Sequence, residues 1–203
     1  MSRLSYGKWL LVLHLPASVL AAAYLGWAND PVVRSAHISP VIDPSDLRRL
    51  VGFSDAVFVG RVVEEIGHDV PEDAPFPRTQ FRAEVVATIK ARRRVNQQLE
   101  SEPSVAAPLG SWVTVDQYGG YSRDPSGKQV LELMEGMPLL VPGEMYLLST
   151  RYDPVTDRYH VLEMQAAAIL LDADAKAKID QYEAAKSDEV PYEIDDPHYK
   201  STP

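Results

Sequence analysis

The pattern of apolar and polar positions is clearest from Ser54 to Ile66, which reads SDAVFVGRVVEEI. In an extended chain Val57, Val59 and Val63 fall on one side, and Ala56, Phe58, Val62 and Ile66 on the other. Both sides begin apolar, and polarity returns only with Arg61, Glu64 and Glu65, so the pattern predicts a strand whose first half is buried on two faces. Gly60 stands in its middle, where a glycine marks a bulge, a bend or a close backbone approach. A long strand bent at a glycine and covered on both faces suits a small closed barrel.

Thr79 to Lys90 alternates more cleanly. Phe81, Ala83, Val85, Ala87 and Ile89 point one way, and Gln80, Arg82, Glu84, Val86, Thr88 and Lys90 the other, as in a sheet with one dry and one wet face. Trp112 to Tyr118 predicts a third strand, with Val113 and Val115 opposite Trp112, Thr114 and Asp116, and Gly119-Gly120 ends it. A short strand around Val130 to Leu133 follows the turn Asp124-Pro125-Ser126-Gly127. Met145 to Thr150 predicts a further strand, with Tyr159 to Glu163 returning beside it through Asp153 to Asp157.

Helical signals are fewer. Asp43-Pro44-Ser45-Asp46 predicts the start of a short helix, with Asp43 as cap, Pro44 in the first turn and Asp46 facing the positive helix end. Leu47, Leu50 and Val51 form its stripe, and Gly52 is expected to close it in a left-handed conformation. Asp172 or Asp174 caps a second helix, whose large apolar residues are Ile179 and Tyr182. The domain organisation expected is a leader over 1–28, a linker over 29–42, a barrel over 43–172, a helix over 173–186 and a disordered acidic tail over 187–203. Asn96 to Gly110 is expected to be an exposed insertion.

The leader follows from Arg3 and Lys8, which precede an uncharged run from Trp9 to Ala28. Twenty helical residues rise about 30 Å, the thickness of a bilayer core. Basic start, apolar centre and small residues (Ala21, Ala22, Ala23) make the three-part pattern of an export signal, either cleaved after Ala23 or Ala28 or kept as an anchor. The 203-residue chain has no cysteine and a net charge of −9. The first excludes disulfides, thiolate zinc sites and a cysteine nucleophile, and the second weighs against wholesale nucleic-acid binding.

Three stretches, SDAVFVGRVV (Ser54 to Val63), TQFRAEVVATIK (Thr79 to Lys90) and PGEMYLLST (Pro142 to Thr150), resemble the netrin-like domain, the OB-type barrel of the tissue inhibitors of metalloproteinases. They also resemble exported bacterial proteins with the same three blocks. The resemblance covers roughly Asp43 to Asp172 and implies a fold. It does not carry protease inhibition, because those inhibitors reach the catalytic zinc with an amino-terminal cysteine that this chain lacks.

Candidate chemistry is sparse. His14, His37, His68, His160 and His198 show no metal-ligand spacing and read as scattered surface histidines. Asp153 and Asp157 read as turn formers rather than calcium ligands. Glu64, Glu65 and Glu132 are carboxylates without a fixed separation, and solvated strand ends account for them. Lys90, Arg92, Arg93 and Arg94 form the dense basic cluster, which could meet a polyanionic surface. Trp112, Tyr118 and Tyr121 could add aromatic platforms, although the plainer expectation puts Trp112 wholly or half in the core. These six residues, Arg92 to Arg94 with the three aromatics, are the candidate binding site.

The chain is therefore expected to be mainly β, a small OB-like antiparallel barrel with short flanking helices and an N-terminal apolar helix. Its expected work is non-enzymatic binding, secreted or at the cell surface, with no cofactor and no metal. Expected partners are the membrane through an uncleaved leader, and an extracellular protein or polyanionic surface, with nucleic acid disfavoured. The alternatives are an extracellular protease-inhibitor-like module and a nucleic-acid-binding OB-fold protein.

Overall fold

A computed structural model describes residues 31–37, 42–43, 45–70, 76–91, 94–95, 98–99 and 111–191. Val32–Ala36 forms β1, Leu47–Phe53 α1, Ala56–Asp69 β2 and Arg78–Ala91 β3. A two-residue hairpin, β4 (Arg94–Val95) with β5 (Gln98–Leu99), follows. Then come β6 (Trp112–Tyr118), β7 (Gly120–Arg123), β8 (Gln129–Met134), β9 (Met145–Asp153), β10 (Arg158–Val161) and β11 (Ala168–Leu170). The helix α2 (Ala175–Ser187) comes last.

Five strands close into a barrel in the order β10-β6-β3-β2-β9, with β9 pairing back to β10 and β11 added outside β9. Neighbours run antiparallel except β6 and β10, which are parallel. The barrel is thus mixed rather than antiparallel throughout, because β10 reaches β6 after a crossover and returns in the same direction. This arrangement is that of an OB-like barrel.

The core follows the alternation. Phe81, Ala83, Val85 and Ile89 of β3 are buried, and the first half of β2, Ala56 to Gly60, is buried on both faces. The β2–β3 register shifts between Val59 and Gly60. A Cβ at Gly60 would lie 3.1 Å from the Phe58 ring and 3.4 Å from Leu148 Cδ1, so the glycine makes room for its neighbours. Inside the barrel Gln117 donates from Nε2 to the Pro138 carbonyl and accepts from the Leu140 N–H, both at 2.9 Å, tying that loop across the strand ends. Gly119, at φ 114°, supplies the left-handed step between β6 and β7.

Helix α1 is capped by Asp46, whose carboxylate accepts from the Arg48 and Arg49 N–H groups. Asp43 accepts instead from Ser45, one turn too early to cap. Gly52 does not close the helix, which runs on through Phe53 to a cap at Ser54. A Cβ at Gly52 would sit 1.9 Å from the Val190 carbonyl oxygen, so the glycine admits the C-terminal segment.

That segment is the main departure at the chain's end. Of the stretch expected to be disordered, Asp188 to Val190 docks on α1: the Val190 N–H donates to the Arg48 carbonyl at 3.2 Å, and Arg48 Nε meets Asp188 Oδ2 at 3.1 Å. Residues 192–203 lie outside the described residues. Tyr182 of α2 is buried and its hydroxyl donates to the Ala166 carbonyl, which fixes the helix against the barrel.

The stretch expected as linker also differs. β1 pairs in parallel with β8, and β8 pairs with β7 across the predicted Asp124 turn, making a second, three-stranded sheet. The side chains of Val32 to Ser35 remain exposed, so backbone pairing alone builds this strand. Among the described residues no helix is long and apolar enough to cross a membrane. The Trp9 to Ala28 run lies outside them.

Candidate functional site

The registers of β2, β3, β6 and β10 set out the barrel's outer face in rows. Arg61, Glu84 and Trp112 form one row, and Glu64, Arg82 and Thr114 the next. Gly67, Gln80, Asp116 and His160 form the third, and Asp69, Arg78 and Tyr118 the fourth. The first two rows are ordinary wet sheet, with Arg82 and Glu64 paired at 3.2 Å in solvent. The last two are not.

Asp116 sits on that outer face with 2% of its surface exposed. Its Oδ2 lies 3.3 Å from Arg158 Nη1 and 3.5 Å from His160 Nδ1. His160 Nε2 points to Asp153 Oδ2 at 3.7 Å, so the imidazole lies between two carboxylates. Arg158 also approaches Asp69 at 3.7 Å, and Gln80 Nε2 donates to the same Asp69 oxygen at 3.0 Å. Arg78 donates to the Tyr118 hydroxyl at 2.7 Å, with its guanidinium carbon 4.7 Å from that ring's centroid. Asp69 opens the loop from β2 to β3, and Arg158 ends the turn from β9 to β10, so this cluster joins two loops across the face.

Three buried polar atoms in the cluster have no hydrogen-bond partner among the described residues: Asp116 Oδ1, Asp69 Oδ1 and Arg78 Nε. Groups of this kind cost stability unless something satisfies them. Burial pushes the Asp116 carboxyl above its ordinary 3.8, against the pull of His160 and Arg158. Burial likewise holds His160 below 6.5, against the pull of Asp116. On Asp153 burial acts upward, but hydrogen bonds from Thr156 and the Val155 N–H, helped by His160, bring it below 3.8. The opposite shifts at Asp116 and His160 have one cause, because burial disfavours the charged form of each.

The residues singled out by sequence divide between places. Trp112 and Tyr118 share the outer face of β6, and Trp112 is 57% exposed rather than core. Tyr121 belongs to the other sheet, on β7. Arg92 and Arg93 lie outside the described residues, and Arg94 is described only as backbone in β4. Lys90 leaves the basic cluster altogether. Its side chain is 3% exposed, its Nζ donates to the Val51 carbonyl at the end of α1, and it meets Glu189 Oε2 at 2.8 Å. A cation there suits the negative end of the helix.

His160 is not a stray surface histidine but a half-buried member of the cluster. Asp153 and Asp157 do form the turn: Asp153 accepts from the Val155 N–H and the Thr156 hydroxyl, and Asp157 accepts from the Tyr152 hydroxyl. Glu64 lies on the barrel and Glu132 on the three-stranded sheet, bonded there by Ser122. Among the described residues no group of three or more His, Asp or Glu is placed to hold a metal.

No family model matches the chain, and no curated protein matches it either.

Proposed function

We propose that this is an exported or membrane-anchored, non-enzymatic binding domain of netrin-like type, whose partner engages the outer face of β3, β6 and β10. The observation that carries the reading is the buried Asp116 on an outward face, between Arg158 and His160, with one oxygen unsatisfied among the described residues. OB-like barrels bind on the corresponding strands and the two loops flanking them, which here are joined through Arg158 and Asp69. The exposed Trp112 on the same face adds a large apolar contact of the kind that anchors interfaces.

The charges favour a partner of mixed character, such as another protein's surface, over a polyanion. Asp69, Asp116 and Asp153 balance Arg78, Arg158 and His160 when the imidazole is charged, and outweigh them when it is neutral. Nucleic acid is therefore poorly served on this face. The protease-inhibitor-like alternative needs a protruding segment at 29–41, and Val32 to Ala36 within it is paired to β8.

The test is made in cells on the full chain, with a photo-crosslinking residue at Thr114 and the intact protein fractionated. The expected result is a discrete adduct outside the cytoplasm that is lost with Trp112→Ala and with Arg158→Ala, both variants remaining folded. A purely cytoplasmic chain, or adducts indifferent to both substitutions, sinks the reading.

A further inference from the structure

Away from the barrel's polar cluster, the β1–β8–β7 sheet turns a row of apolar side chains outward. Its registers set Val33, Leu131 and Tyr121 side by side on one face. Val130 and Met134 on the opposite face of β8 are buried, which fixes the direction of the row. Val33 is 59% exposed and Tyr121 38%, and Leu131 is half-buried without joining the core cluster. In the adjoining row of the same face, Arg123 and Gln129 are exposed. Aliphatic side chains, a tyrosine and an arginine on one flat face suit the boundary of a bilayer, where aromatic rings settle at headgroup level and guanidinium groups meet phosphates.

The chain itself names the occupant. The uncharged run from Trp9 to Ala28 ends four residues before Val32, the first residue of β1. Four fully extended residues span at most about 14 Å. With the run held in a bilayer, the three-stranded sheet cannot leave the membrane surface. So short a tether also keeps the effective concentration of lipid high, and a small apolar row then suffices for contact.

We propose that the face bearing Val33, Leu131 and Tyr121, with Arg123 beside them, rests on the headgroup region of the membrane that holds the leader. The proposal depends on the membrane-anchored form of the reading above. It makes the small sheet a foot that sets the height of the barrel.

The absence of cysteine from the sequence lets single introduced cysteines report one position each. Full-length Val33→Cys, Tyr121→Cys and Val155→Cys, each carrying an environment-sensitive fluorophore, are incorporated into vesicles of phosphatidylcholine and phosphatidylglycerol. A fraction of the lipid carries a headgroup quencher. All three positions are exposed, so the fold tolerates them, and circular dichroism checks this. Lipid quenching several-fold stronger at positions 33 and 121 than at 155 is expected. Equal quenching at the three positions in a chain that floats with the vesicles overturns the proposal while the membrane reading stands. A chain that stays in the soluble fraction overturns both. Shielding at 33 and 121 that ignores the lipid quencher and grows with protein concentration assigns the row to a second copy, and overturns it too.

Discussion

Lys90 Nζ lies 2.8 Å from Glu189 Oε2, and only 3% and 10% of the two side chains are exposed. The pair ties the end of β3 to the segment after α2, and the same ammonium holds the last carbonyls of α1. Removing one member leaves a buried charge, which costs about 3–5 kcal/mol, whereas replacing both with apolar side chains costs far less than the sum. Urea denaturation of Glu189→Leu, Lys90→Met and the double variant Lys90→Met/Glu189→Leu measures this. Single-variant losses that simply add would show that the two groups do not act together.

Gly52 gives a change of sign. In the full chain Gly52→Ala drives a Cβ into the Val190 carbonyl, so the variant is destabilised. In a chain ending at Ser187 that carbonyl is gone, and the alanine then adds its helix preference of roughly 1 kcal/mol. Thermal midpoints of the four proteins decide it. An equal loss in both backgrounds would mean that the docked segment is not what the glycine serves.

Acid should act through His160. Its folded pKa lies below the ordinary 6.5, so the unfolded chain takes up the proton first and stability falls as pH drops through that range. Asp116 has the opposite sign: its folded pKa lies above 3.8, so the folded state takes up the proton first, and stability returns as pH falls through the folded value. The urea midpoint of the native protein is expected to fall between about pH 7 and pH 5, and to fall less in His160→Gln. Identical slopes would remove His160 from the account.

At Gly60 the margin is narrow rather than nil. A methyl group needs Phe58 and Leu148 to yield a few tenths of an ångström, so Gly60→Ala should be mild. Gly60→Val adds two more carbons between the same neighbours, and overpacking of that kind costs about 1–3 kcal/mol. Chemical denaturation ranks the two, and a valine variant as stable as the alanine one contradicts the crowding.

The adjacent residues Val85 and Glu84 test the facing of β3. Val85 is fully buried, and Glu84 faces outward beside Trp112. Val85→Asp places a carboxylate in an apolar interior at a cost of several kcal/mol, and Glu84→Lys should stay within about 0.5 kcal/mol. If Glu84→Lys proves the more damaging, the register is wrong by one residue.

The barrel was legible because β2 and β3 are long, β2 apolar on both faces over its first half and β3 alternating between a buried and a wet face. β1 was not, since a strand with exposed side chains leaves no trace in an apolar pattern. Asp116 was placed on the correct face of β6, yet its burial comes from Arg158 and His160, which lie far along the chain. Lys90 looked like the start of a basic run for the same reason, because its carboxylate lies beyond the barrel altogether. Alternation reports which way a side chain points, and it is silent on what arrives to cover it.

The parallel seam between β6 and β10 has a consequence for the order of assembly. β2, β3 and β6 are each complete before β10 is made, and β2 and β3 can pair as soon as both exist. The ring nevertheless stays open until Tyr159 and His160 find Val115 and Asp116, the two pairs that close it. A chain leaving the ribosome from its amino end therefore carries an open sheet through most of its synthesis. A protein that threads a translocation pore before it closes would gain from that delay, since nothing barrel-shaped has to be taken apart on the way.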